Sequence, residues 1–150
     1  MTEIESKHGT VSRQPYELYM SMTDLENFKR MLPQDKQDMM TATYDTLTVS
    51  VQGFNIGVKV HNRVPYSLIE LVDFGAPFAF HIELHFDPAP TDAYKTDFWI
   101  KAEADLNLMM KMMLGGKIKE AMDKIVDGLV DASNGIMPEG FDPNSWPKHV

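Results

Sequence analysis

The spacing of hydrophobic residues changes period twice along the chain, and the changes mark its main elements. Leu18, Met22, Leu25, Phe28 and Leu32 recur at three- and four-residue steps, which predicts helix over residues 14–32. Pro15 suits a first turn, Thr23 or Asp24 is placed to interrupt and re-cap the helix, and Pro33 ends the pattern. Ahead of it, Ile4 to Val11 reads as a short first strand with weak alternation.

From Met40 the period becomes two. Two alternating runs flank Gln52-Gly53, a spacing that suits a tight hairpin. Pairing outward from that turn sets Val51 opposite Phe54, Val49 opposite Ile56 and Leu47 opposite Val58, all on one face. Ser50, Thr48 and Thr46 then share the other face with Asn55, Gly57 and Lys59, as an antiparallel sheet packed on one side requires. A turn at Val64-Pro65 brings in a third strand, with Ile69 opposite Val60, Leu71 opposite Val58, and Glu70 opposite Lys59 as an exposed ion pair. Two further strands follow around "FAFHIELHF" and "KTDFWIKAEA", with "DPAPTDA" between them as a loop.

The period then returns to that of a helix. From about Leu106 to Ala132, Met110, Leu114, Ile118, Met122, Ile125 and Leu129 trace a stripe along a rod of about 40 Å. Asp105 or Asn107 can cap its start, and Gly115-Gly116 predict a bend or close packing. The Pro- and Gly-rich tail, residues 134–150, reads as non-helical, with Trp146 able to pin it to the body.

Strand, helical pair, antiparallel strands and long terminal helix form an α+β order that resembles the START-like (SRPBCC) superfamily, which includes the birch-pollen allergen fold and polyketide cyclase-like proteins. The resemblance rests on "YELYMSMTDLENFKRMLP", "ATYDTLTVSVQGFNIGVKVHNRVP" and "LGGKIKEAMDKIVDGLVDA", and spans about residues 4 to 133. It implies a helix-grip fold, a curved antiparallel sheet wrapped around the C-terminal helix, in a single domain over residues 1–133. It also implies an apolar cavity between helix and sheet. Members of the superfamily bind lipids, sterols, polyketides or plant hormones there, catalyse cyclisation or dehydration, or activate a chaperone by binding it, so the resemblance leaves the class of function open.

Composition narrows the partners. Net charge is −8, which disfavours a nucleic-acid or anionic-membrane footprint. No cysteine is present, which removes disulfides, thiolate zinc sites and thiol nucleophiles and fits a cytoplasmic setting. The N-terminus lacks the apolar core of a signal peptide, and no stretch approaches a membrane span.

The apolar concave face supplies the candidate ligand-binding residues. Leu47, Val49, Ile56, Val58, Ile69, Leu71, Phe80, Ile82, Phe98 and Ile100 share it, and Met109, Met110 and Met113, from a run that includes Met112, face it from the long helix. Twelve methionines is a high count, and Met lines adaptable surfaces as readily as it fills cores. Asp45 falls on the apolar face beside Val60 and diagonal to Asn62, with Thr43 pairing Asn62. A carboxylate and an amide there orient a ligand hydroxyl or act as acid and base; if this end opens to solvent, Asp45 is a wet rim residue instead. Tyr94 and Thr96 share the inward parity of the last strand as weaker candidates.

No nucleophile elbow, Ser-His-Asp arrangement or phosphate loop is present, and no motif calls for a cofactor. The expected function is binding of a small hydrophobic, lipid-, polyketide- or sterol-like molecule. The alternatives are a cyclase or dehydratase using Asp45 with Asn62 or Tyr94, and a partner-protein module with an exposed apolar patch. His81, Glu83 and His85 in "HIELH" share one strand face, but four residues put the histidines about 13 Å apart, too far for one ion. One histidine with Glu83 and residues from elsewhere is compatible with a metal; the expectation is none, with Glu83 opposite Lys101 and His81 opposite Glu103 on a charged exterior.

Overall fold

In the computed structural model, described over residues 1–31, 34–51 and 54–135, eight antiparallel strands form one curved, open sheet. The chain runs β1 (Thr2–Glu5), β2 (Gly9–Val11), α1 (Pro15–Thr23), α2 (Glu26–Met31), a 3-10 segment (Gln34–Met39), β3 (Met40–Ala42), β4 (Thr46–Val51), β5 (Phe54–Val64), β6 (Leu68–Asp73), β7 (Phe80–Ala89), β8 (Asp92–Ala104) and α3 (Leu108–Ser133). The spatial order is β1-β8-β7-β6-β5-β4-β3, with β2 also pairing β8. This is the expected helix-grip architecture.

Local chemistry places the breaks. The first strand is two, because the register on β8 slips by one residue between Glu5↔Lys101 and Gly9↔Phe98. Ser6 fills the gap: its N–H donates to the Ile100 carbonyl, and its Oγ accepts from the Ile100 N–H, both at 2.8 Å. The helical pair parts where expected, at Asp24, whose carboxylate accepts from the Glu26 N–H (3.0 Å) and restarts the helix. Asn107 caps α3 through the Met110 N–H (2.8 Å). The pairing of β4 with β5 is the expected one, although Gln52-Gly53, Leu32-Pro33 and the tail with Trp146 lie outside the described residues.

Four expectations are corrected. "DPAPTDA" is mostly strand: β7 runs through Ala89, which pairs Asp92, so only Pro90-Thr91 turn. The β5–β6 loop is the three residues Pro65 to Ser67, with Tyr66 in the left-handed region (φ 68°) and its ring edge-on to Tyr16 and Tyr19. That loop sets Glu70 opposite Asn62, and a bulge between Val60 and Asn62 then shifts the strand again, so Leu71 meets Val60 and Val72 meets Lys59. The Glu70–Lys59 ion pair does not form. Finally, Gly115 and Gly116 are not packing positions, since a Cβ added at either meets nothing within 4 Å.

The core sits at one end of the concave face. Leu18, Tyr19, Met22 and Leu25 share one buried cluster with Ile69, Phe86 and Phe98, joined by Val11, Ala102, Ala104 and by Met122, Val126, Leu129 and Ala132 of α3, which packs on β1, β2 and β8. The buried stripe of α3 thus includes Val126, while Ile125, expected on it, is exposed. Gly9 permits the approach: a Cβ there would lie 2.6 Å from Val126 Cγ1 and 2.7 Å from Val130 Cγ2. Lys7 ties the same junction, its N–H donating to Asp123 Oδ1 (2.7 Å) and its Nζ pairing Asp127 (2.7 Å).

Candidate functional site

The inward positions divide into two sets. Val58, Ile69, Leu71, Phe80, Leu84, Phe98 and Ile100 are buried in the packed core. Leu47, Ile56, Val60, Phe78 and Ile82 pack against that core but are only half-buried, and Val49 is half-buried beside them. Leu106 and Ile118 are half-buried against the same set from the α3 side. This second set is the less buried part of the apolar face.

The α3 methionines behave as two groups. Met110 is half-buried, whereas Met109 and Met113, with 70% and 63% of their surface exposed, stand in solvent beside exposed Leu108 and Met112. Helix α3 packs on β1, β2 and β8, and its buried residues all lie from Met122 onward. The first half of the helix therefore presents an exposed apolar strip of Leu108, Met109, Met112 and Met113.

Asp45 takes the rim position. Its carbonyl accepts from the Val60 N–H (2.9 Å), as the register anticipates, but its side chain is 62% exposed and bound by Arg63 Nη1 (2.7 Å). Arg63 is the polar residue that the sequence reading missed. The bulge after Val60 gives it the inward parity expected of Asn62 and turns Asn62 outward opposite Glu70. Its Nε donates to Thr23 Oγ1 (2.7 Å), its Nη2 donates to the Thr23 carbonyl (2.8 Å), and its guanidinium lies 4.5 Å from the Tyr44 ring centre. A cation on the last carbonyls of α1 satisfies acceptors the helix cannot, so Arg63 locks α1 to the sheet.

The other polar candidates also part company. Thr43 turns back on Thr46 (Oγ1 to Oγ1, 2.6 Å) instead of pairing Asn62. Thr96 is fully buried and donates to the Arg13 carbonyl (2.7 Å), while Tyr94 is exposed. Asp45, Asn62 and Tyr94 do not converge on one point of the concavity.

The outer face carries the HIELH side chains as expected, with Glu83 opposite Lys101 and His81 opposite Glu103. The expected pattern omits Glu70, which stands directly opposite Glu83. His81 lies between them, Nε2 3.8 Å from Glu70 and Nδ1 3.9 Å from Glu83.

Solved structures share this architecture. The chain is similar to a protein of Thermobifida fusca, at a TM-score of 0.68 and 12% identity over 91% of this chain and 95% of that one. It is similar to an uncharacterised protein of Bacillus thuringiensis at 0.63 and 10% over 89% and 99%, and to the Aha1 dimer from Colwellia psychrerythraea at 0.57 and 13% over 87% and 97%. At these identities the likeness is one of fold. No protein-family model matches the sequence, and no curated protein matches it. Among the described residues, no helix is long and apolar enough to cross a membrane. The chain has a helix-grip fold, a curved, open antiparallel sheet with a long C-terminal helix.

Proposed function

We propose that the protein binds a small hydrophobic molecule, lipid-, polyketide- or sterol-like, in the concavity between the β4–β5 part of the sheet and the first half of α3. The observation that carries this reading is the uneven cover of one continuous apolar face. Around Phe86 and Phe98 the face is dry, but Leu47, Val49, Ile56, Phe78 and Ile82 keep part of their surface in water. Burying that surface under a ligand recovers ~25 cal/mol for each Å² removed from water. Flexible Met side chains at the rim suit ligands of varied shape.

The binding is non-enzymatic in this reading. Asp45, the leading acid/base candidate, is held at the rim by Arg63, and its former partner Asn62 faces the other side of the sheet. The proposal places the whole function in one cytoplasmic START-like domain, residues 1–133. The exposed strip of Leu108, Met109, Met112 and Met113 favours a second reading, docking of a partner protein on α3.

Native mass spectrometry of freshly purified protein, with extraction of any copurified small molecule, tests the first reading. A hydrophobic fluorescent probe should bind saturably, and Ile56→Trp, which fills the concavity, should weaken it several-fold. Probe binding lost instead on Met112→Glu and untouched by Ile56→Trp would move the site to the helix strip.

A further inference from the structure

We infer that Glu70, His81 and Glu83 form a site for one divalent transition-metal ion of the Zn²⁺, Co²⁺ or Ni²⁺ class on the outer face of the sheet, apart from the apolar concavity. One imidazole nitrogen and one oxygen from each carboxylate lie within 4.8 Å of one another. An ion with bonds of ~2.0–2.2 Å needs its donors ~3–3.5 Å apart, a closure that rotation of two glutamate side chains supplies. The three side chains are only 22–30% exposed, so they start partly desolvated and confined.

Charge supports a cation here. Glu70 and Glu83 are direct cross-strand partners, and like charges in that position repel. Lys101 faces Glu83 from β8, but its Nζ reaches to Glu3 on β1 (3.7 Å); Glu103 faces His81, and Asn62 faces Glu70 from β5. Among the described residues, neither glutamate has a lysine or arginine within ion-pair distance. A metal ion would neutralise both.

The surroundings hold the donors in place. His85 Nε2 donates to Glu83 Oε1 (2.8 Å), leaving Oε2 turned toward His81. The His85 ring is itself fixed by stacking on Trp99 (4.4 Å, 3°), whose other stacking partner is His8 (4.4 Å, 14°). Such an outer hydrogen bond orients a ligating carboxylate. Mixed imidazole and carboxylate donors favour borderline transition ions over Mg²⁺ or Ca²⁺, with water completing the coordination.

The test titrates the full-length, chelator-stripped chain with Zn²⁺ by calorimetry and with Co²⁺ by visible absorption. One equivalent should bind, and Glu70→Gln, Glu83→Gln and His81→Gln should each weaken it tenfold or more, while His61→Gln leaves it unchanged. In a Trp146→Phe background, Co²⁺ should quench Trp99 fluorescence with the same midpoint, a readout that needs no ligand substitution. No saturation up to millimolar metal would overturn the site. So would binding that survives Glu70→Gln in a variant whose circular dichroism is native, because Glu70 is what turns a surface histidine into a three-donor site.

Discussion

The two ends of the concave face are built from the same kinds of residue in the same antiparallel sheet, yet one is a core and the other is half open. At the β7–β8 end, Phe86 and Phe98 are covered by α1 and by the Met22–Leu25 corner, and β8 is further covered by α3. At the β4–β5 end, Leu47 and Ile56 have the same inward register but stay half-buried, although α2 and the 3-10 segment pack nearby on β3 and β4. What separates stability from a candidate site is therefore cover, not composition. The helix that could provide the cover carries its buried residues only from Met122 onward.

The sharpest way to break this comparison is a pair of truncations. Phe98→Ala removes a fully buried ring and should cost about 3–5 kcal/mol. Ile56→Ala, half-buried, should cost clearly less, roughly 1 kcal/mol, since it leaves a gap already open to water. Urea unfolding measures both, and equal losses would mean that the two ends are equally packed.

Glycines give the next contrast. A Cβ at Gly57 would fall on the Phe74 carbonyl oxygen, and Phe74 N–H donates to the Gly57 carbonyl (2.9 Å), so backbone would have to move. Gly57→Ala should lose about 1–3 kcal/mol or more. Gly115→Ala and Gly116→Ala have open space and should each gain up to about 1 kcal/mol from helix propensity alone. A loss at either would show that the first half of α3 packs more closely than its exposed residues imply.

The smallest effect concerns the strap that holds the closed half of α3. The Lys7 N–H, and then Lys119, hold the Asp123 carboxyl below its ordinary value of 3.8, while Asp127 raises the Lys7 ammonium above 10.5. Asp123 therefore contributes stability above pH 3.8 that is lost as the carboxylate protonates below it; Lys7 contributes below pH 10.5 and loses its share above. Comparing wild type with Asp123→Asn in urea should show a small gap near neutral pH that closes in acid. A gap that widened in acid would contradict the strap.

Much of the fold was legible in the sequence because it depends on local periodicity. The switch from helical steps after Pro15 to alternation after Met40 and back at Leu106 needs no knowledge of neighbours. Within the hairpin, Val49 and Ile56 announce their pairing by sharing a face. The HIELH face was legible for the same reason.

The site was less legible. One extra residue near His61 reversed the parity of the rest of β5, Asn62 to Val64, and a bulge has no hydrophobic signature. It exchanged Asn62 for Arg63 on the inner side. The three-residue loop before β6 set Glu70 opposite Asn62 in place of Lys59. The exposed side chains of Met109 and Met113 were equally hidden, because their spacing is the same whether the helix lies on the sheet or stands off it.

By itself, then, the sequence determined which elements form, their order, and the two-faced character of the sheet, since these follow from backbone propensity and from the period of apolar side chains. Only the tertiary structure decided which stretch of that face is roofed, which charge reaches Thr23 and Asp45, and which carboxylate joins His81 and Glu83. Those outcomes turn on single-residue register shifts and on where one helix docks, and both are settled by contacts between segments far apart in the chain.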